Sequence, residues 1–302
     1  MKSQKPLTGL LLLFIGIQAQ SQADLNDFLR GQVVGSEIFM EYDYQAMLDS
    51  IDVLNAGTSS SSTPASTPWG VYTLRGADID GEAVGDKSGT SVSLSSDGTT
   101  VAIGAFFNDG ANGSDSGHVR IYAWNSDTSA WEQQGADIDG EAVADYSGRS
   151  VSLSSDGTTV AIGAQYNDAA NGPVSGHVRI YGWNSTSSTW DQQGSDIEGE
   201  AEYDESGHSV SLSSDGTIVA IGAPLHNGAN GSDSGHVRIY AWDSTTSAWD
   251  QQGADIDGEA VGDKSGTSVS LSSDGTTVAI GADQNDGANG SDSGHVRIYS
   301  WD

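Results

Sequence analysis

The sequence predicts an all-β fold: a β-propeller of four four-stranded antiparallel blades, closed by its own N- and C-terminal strands. Three observations predict it. The 302-residue chain repeats itself every 59 residues, with copies starting at Gly76, Gly135, Gly194 and Gly253. Each unit holds four short strand-like runs separated by Gly, Asp, Asn and Ser turn chemistry. The array ends at Trp301-Asp302 after a third strand, while residues 72–79, YTLRGADI, read as a fourth strand without its own blade. Joining those two pieces completes four blades and leaves no unpaired radial interface. A ring truncated from a larger one, or one built from two chains, stays open as an alternative. A β-solenoid fits less well, since its coils repeat at about 20–30 residues.

In the first unit, SVSLS (91–95) alternates Val92 and Leu94 with serines. Ser96-Asp97-Gly98 turns the chain into TTVAIGA (99–105), with Val101, Ile103 and Ala105 on one face. The polar loop NDGANGSDSG (108–117) leads to HVRIYAW (118–124), where Val119, Ile121 and Ala123 oppose His118, Arg120, Tyr122 and Trp124. A short turn then reaches the fourth run, WEQQGADI (131–138). Small residues in the first two runs suit the crowded axis of a propeller, and bulky ones on the third suit the splayed outer part. The units are close to identical: 76–125 and 253–302 differ only at Phe106/Asp283, Phe107/Gln284, Ala123/Ser300 and Asn125/Asp302.

Residues 1–23 read as a secretory signal peptide, with Lys2 and Lys5 before an apolar run from Leu7 to Ile17 and small residues at Ser21-Gln22-Ala23. This implies a secreted, periplasmic or cell-surface protein. Residues 24–56 have loose helical spacing or are disordered, 57–68 form a Ser/Thr/Pro linker, and 69–302 form the propeller. There is no cysteine, so no disulfide framework. Acids number 42 against 11 Lys and Arg; without residues 1–23, which hold two lysines, the excess is 42 − 9 = 33. Such a surface disfavours nucleic acid and anionic membranes. No later apolar run is long enough for a spanning helix.

Asp86-Lys87-Ser88-Gly89-Thr90-Ser91-Val92, Ala102-Ile103-Gly104-Ala105 and Gly117-His118-Val119-Arg120-Ile121-Tyr122, repeated in all four units from about residue 70 to 302, resemble the FG-GAP repeat family. That propeller type occurs in integrin α-subunits and many exported microbial proteins. Ser88 stands where Phe is usual, and a full Gly-Ala-Pro occurs only at Gly222-Ala223-Pro224. The resemblance implies extracellular recognition, often adhesive and calcium-dependent. The family's calcium loop joins the first and second strands, and here that connection is only Ser96-Asp97-Gly98, too short for calcium's six to eight oxygens.

Another calcium candidate lies on the fourth run and the loop after it: Asp80, Glu82 and Asp86, with Asp139, Glu141 and Asp145, and Asp257, Glu259 and Asp263. The competing account is edge protection, since charges along a blade's outer edge discourage sheet-to-sheet pairing. Topology brings these loops beside the 108–117 loops, and the tips there vary: Phe106-Phe107, Gln165-Tyr166, Pro224-Leu225 and Asp283-Gln284. Varied tips on a repeated scaffold suit a ligand face. His118, His177, His236 and His295 recur once per blade and are expected to make structural hydrogen bonds. Arg120, Arg179, Arg238 and Arg297 are expected to pair with a neighbouring blade's Asp, and the tryptophans at 124/131, 183/190 and 242/249 to anchor packing.

The function expected from these features is an exported, non-enzymatic binding or adhesion module for a protein or glycan, with calcium assistance and oligomerisation both open. The alternatives are a carbohydrate-active hydrolase or lyase using the propeller channel, and a purely structural secreted protein. Catalysis needs unlike residues converging asymmetrically, and Glu202, Tyr203 and Glu205 of the third unit are the best break in symmetry.

Overall fold

The computed structural model describes residues 72–302 apart from Ala169. The expected signal peptide, helical segment and linker lie outside the described residues. Among these the fold is all-β, without a helix.

The first sheet comprises β1 (Ser91–Leu94), β2 (Thr100–Ala105), β3 (His118–Asn125), β4 (Ala130–Gln133) and β5 (Ile138–Asp139), all antiparallel. The next repeats it with β6 (Ser150–Leu153), β7 (Thr159–Ala164), β8 (His177–Asn184), β9 (Thr189–Gln192) and β10 (Ile197–Glu198). The third contains β11 (Ser209–Leu212), β12 (Ile218–Ala223), β13 (His236–Asp243), β14 (Ala248–Gln251) and β15 (Ile256–Asp257). The last has three strands: β16 (Ser268–Leu271), β17 (Thr277–Ala282) and β18 (His295–Ser300). These are four propeller-type blades.

The first three runs of each unit form where the pattern places them. The fourth is broken in two. β4 pairs with the end of β3 and β5 with its start, as Trp124↔Trp131 and Val119↔Ile138 show. Between them the chain bulges through Gly135 at φ 82, a left-handed conformation that favours glycine. A Cβ there would stand 3.0 Å from Trp183 Cζ3 and from Trp190 Cδ1 of the next blade. The Trp190 indole donates to Gln134 O at 2.8 Å across the same seam. The tryptophans are therefore the packing anchors expected, and they dictate the glycine.

Blades stack face to face. Ala102, Val119, Ile121 and Ile138 of the first pack on Leu153, Val160, Ile162 and Tyr181 of the second. The same pattern joins the second blade to the third, with Val178 and Ile180 against Leu212, Val219 and Ile221. Near the axis the first strands are knitted by serine. Ser93 Oγ accepts from Leu153 N and Ser152 Oγ from Leu212 N, each at 2.9 Å. The Ser-Asp-Gly turns form a further ladder, Ser96 N to Ser155 O at 2.9 Å and Ser155 N to Ser214 O at 2.8 Å. These bonds explain why the face of β1 away from Val92 and Leu94 is all serine.

Closure by the terminal strands is not formed. Among the described residues β18 pairs with β17 alone. Residues 73–80 nevertheless lie against the first blade as a preceding blade's fourth strand would. Trp131 Nε1 donates to Arg75 O at 2.9 Å, as Trp190 does to Gln134 O, and Arg120 Nη2 donates to Asp80 O, as Arg179 does to Asp139 O. The sequence alignment of 72–79 with a fourth strand is correct in position, but the array is open, with the outer faces of its first and last blades exposed.

Candidate active site

The nine acids proposed for calcium do not converge within their own loops. Asp80, Asp139 and Asp257 present backbone carbonyls to Arg120, Arg179 and Arg297. Glu82, Glu141 and Glu259 face those arginines, 3.7, 3.6 and 3.4 Å from their Nη1 atoms. Asp86, Asp145 and Asp263 are buried and turn inward. Asp145 Oδ2 accepts from Ala142 N at 2.7 Å and from Asn167 Nδ2 at 3.0 Å, and Asp86 and Asp263 repeat this with Asn108 and Asn285. Three neighbours in sequence thus serve three separate purposes. The arginines meet the preceding blade as expected, through an Asp carbonyl and a Glu carboxylate.

The histidines of the third strands differ from expectation. His118 is buried, and its Nδ1 has no hydrogen-bond partner; it stands 3.8 Å from Glu82 Oε2 and 3.7 Å from Asp137 Oδ2. His177 Nδ1 stands 3.8 and 3.6 Å from Glu141 Oε2 and Asp196 Oδ2 in the same way. Donor atoms of Glu82, His118 and Asp137, and of Glu141, His177 and Asp196, lie within 4.8 Å of one another. Burial holds these imidazoles below their ordinary pKa, His177 at about 4. They are neutral at neutral pH and available as donors.

The loop tips fall on one face, with different surroundings. Phe106, Phe107, Tyr146 and Tyr166 form an aromatic cluster between the first two blades, with Phe107 and Tyr146 edge to face at 5.0 Å. Beside it is a hollow of about 390 Å³ lined by Asp86, Phe107, Asp109, Asp115 and Tyr146. Gln165 and Pro224 are buried, Leu225 is half-buried, and Asp283 and Gln284 are exposed.

The third blade breaks the symmetry. His226 occupies the place of Asn108, Asn167 and Asn285. Its Nδ1 bonds to Asp204 Oδ2 at 3.0 Å, and Asp204 is fully buried, held by Ala201 N at 2.9 Å. Accepting that bond fixes Nδ1 as the protonated nitrogen and leaves Nε2 as the second functional atom. The His226 ring stacks on His236 at 3.9 Å and 18°. His236 Nδ1 in turn faces Glu200 Oε2 at 3.8 Å and Asp255 Oδ2 at 3.9 Å. The bond to Asp204 raises the pKa of His226; burial, with His226 and Arg238 beside it, pushes His236 down to about 3. Glu205 lies 3.4 Å from His208 in the same unit. His208 and His226 are the two histidines outside the third-strand set, and both belong to this unit. Sequence reasoning marked Glu202, Tyr203 and Glu205 but missed His226, whose signal is its departure from a repeated Asn.

No protein-family model and no curated protein matches the chain. Among solved structures it is similar to a putative 6-phosphogluconolactonase from Bacteroides uniformis, at 12% identity over 70% of this chain and 49% of that one, with a TM-score of 0.45. It is also similar to a periplasmic gluconolactonase from Pseudomonas aeruginosa, at 14% identity, 70% and 53% coverage and a TM-score of 0.46. A third is the hydrazine synthase of Kuenenia stuttgartiensis, at 15% identity, 68% and 46% coverage and a TM-score of 0.40. The chain spans about half the length of these proteins. At this identity the likeness concerns the fold. The expectation of a non-enzymatic adhesion module is corrected by this finding, since the similar structures are named as enzymes, two of them lactonases. Among the described residues no helix is long and apolar enough to cross a membrane.

Proposed function

We propose that the chain is a hydrolase whose general base is His226, oriented by Asp204. The observation that carries this reading is the 3.0 Å bond from His226 Nδ1 to the buried Asp204, in the blade where a histidine replaces the repeated Asn. A carboxylate in that place fixes the imidazole tautomer and stabilises the imidazolium that forms when Nε2 takes a proton from water. His226 keeps 14% of its side chain exposed, so a substrate on the loop face can reach it. The acidic surface favours neutral or cationic substrates over phosphorylated ones. Neutral sugar lactones and uncharged glycosides are the first classes to assay, by lactone-ring opening and reducing-sugar release. Turnover of none of them by the wild-type chain at any pH from 5 to 9 refutes the reading.

His226→Asn is the discriminating variant. Asn108, Asn167 and Asn285 already make the equivalent bond to Asp, so the loop keeps its anchor and loses its base.

For a bound cation the finer reading is zinc, not calcium. Calcium takes oxygen ligands, whereas each recurring group presents a neutral imidazole between two carboxylates. Donors around a tetrahedral zinc stand about 3.3–3.5 Å apart, given bonds of about 2.0–2.1 Å. The imidazole-to-carboxylate spacings of 3.6–3.8 Å need a closure of a few tenths of an ångström, and all the donors of a set lie within 4.8 Å of one another. Arg120 and Arg179 already offset part of the glutamate charge, which weakens the site. The FG-GAP-like reading of the array is supported by the Gly-Ala ends of β2, β7, β12 and β17 and the Gly-His-Val starts of the third strands. Export is supported by the layout of residues 1–23.

A further inference from the structure

The two ends of the array expose the two halves of one interface. On the leading face of the first blade Val92 and Leu94 are 64% and 57% exposed, while their repeat counterpart Leu153 is 8% exposed against the blade before it. On the trailing face of the last blade Val296 and Ile298 are 66% and 70% exposed, whereas Val178 and Ile180 are 0% and 2%. Every internal face of the trailing type is covered by a face of the leading type. The first and last blades are near-identical in sequence, so the exposed faces carry the groups already seen to fit each other.

The polar groups match too. Ser93, Ser152 and Ser211 each accept from the leucine N–H of the following blade. Ser270 is the next in that series, and Leu94 N is the donor that the repeat places opposite it. β18 has no strand beyond it among the described residues, whereas β3, β8 and β13 each carry two short ones. Residues 73–80 lie on the leading face in the place of a preceding blade's fourth strand, fixed by Trp131 and Arg120. A first blade docked on a last blade therefore delivers residues 73–80 to the open edge of β18. By the repeat, Thr73 then pairs with Ser300 as Glu132 pairs with Ala123.

We propose that two copies of this chain associate head to tail through these faces, closing an eight-bladed ring. Each copy supplies the fourth strand of the other's last blade. A head-to-tail contact between two copies closes when it forms twice, and eight blades lie within the propeller range.

Sedimentation velocity and light scattering on the full chain test this. The expected particle has twice the 31.2 kDa chain mass. Ile298→Asp, at a position exposed in the single chain, is expected to give monomers with unchanged circular dichroism. The chain lacks cysteine, so Thr73→Cys with Ser300→Cys gives a clean second readout. Oxidation is expected to yield a two-chain species on a non-reducing gel. A link within one chain overturns the proposal in favour of a four-bladed ring. A wild-type monomer, or a ladder of longer species, also overturns it.

Discussion

Replacing Ile180 by Ala, and separately Ile298 by Ala, compares one repeat position in two environments. Ile180 is 2% exposed and packs between the second and third blades; Ile298 is 70% exposed on the trailing face of the last. Deleting three buried carbons removes about 2.4 kcal/mol of transfer free energy at about 0.8 kcal/mol per methylene. The cavity adds to this, because β8 and β12 are held by their ladders and cannot collapse into it. The expected loss at Ile180 is thus about 3–4 kcal/mol, inside the range for large-to-small core changes. At Ile298 the dilute, unassociated chain should lose less than about 0.5 kcal/mol. Urea unfolding followed by tryptophan fluorescence, at low micromolar concentration and after confirming monomers, reads both. Equal losses at the two positions in that monomer would refute the open array, because Ile298 would then be buried within the chain. A loss below about 1 kcal/mol at Ile180 would refute the face-to-face core.

Other predictions follow from particular residues. Gly135→Ala forces a side chain into a left-handed conformation and onto Trp183 and Trp190, and should cost at least about 1–2 kcal/mol by urea unfolding. His177 titrates at about 4 when folded and near its ordinary 6.5 when unfolded, so the unfolded chain binds the extra proton between those values. Its neutral form therefore contributes stability above pH 6.5 that is lost as pH falls toward 4; His177→Gln in EDTA should flatten that slope of stability against pH. Zinc at tens of micromolar should raise the melting temperature and calcium at millimolar levels should not, with Glu141→Gln and Asp196→Asn reducing the zinc shift.

The repeat carried most of the fold into plain view. A period of 59 with tight turns places the first three strands of each unit to within a residue of where they form. The broken fourth strand was less legible, because its cause is the next blade: Gly135 adopts φ 82 beneath Trp183 and Trp190, contacts about fifty residues ahead in the chain. Closure was not legible at all. Residues 72–79 match a fourth strand by sequence, and residues 73–80 lie in its place on the first blade. Whether they meet β18 depends on the angle between blades, which side-chain packing sets and the period does not.

The site divides the same way. Acids adjacent in sequence suggested a shared ion, but Asp139 turns its carbonyl to Arg179, Glu141 its carboxylate to the same arginine, and Asp145 turns inward to Asn167. Their common charge concealed three different directions. His118 was readable as a recurring residue, yet its carboxylate partners Glu82 and Asp137 come from either side of it in sequence. His226 was readable only as an exception to Asn, and its meaning needed Asp204, 22 residues earlier, on the facing loop.

The pH–rate profile of the wild-type chain and its His226→Asn variant, on a neutral sugar lactone or glycoside that the wild type turns over, tests the central claim most directly. A base with its pKa raised by Asp204 predicts a kcat/KM that climbs with pH through a value above 6.5. The variant should lose at least about a hundredfold of that rate, the scale of a general base, with an unchanged unfolding midpoint. Equal rates in the two proteins, or a profile that is flat from pH 5 to 9, would contradict it.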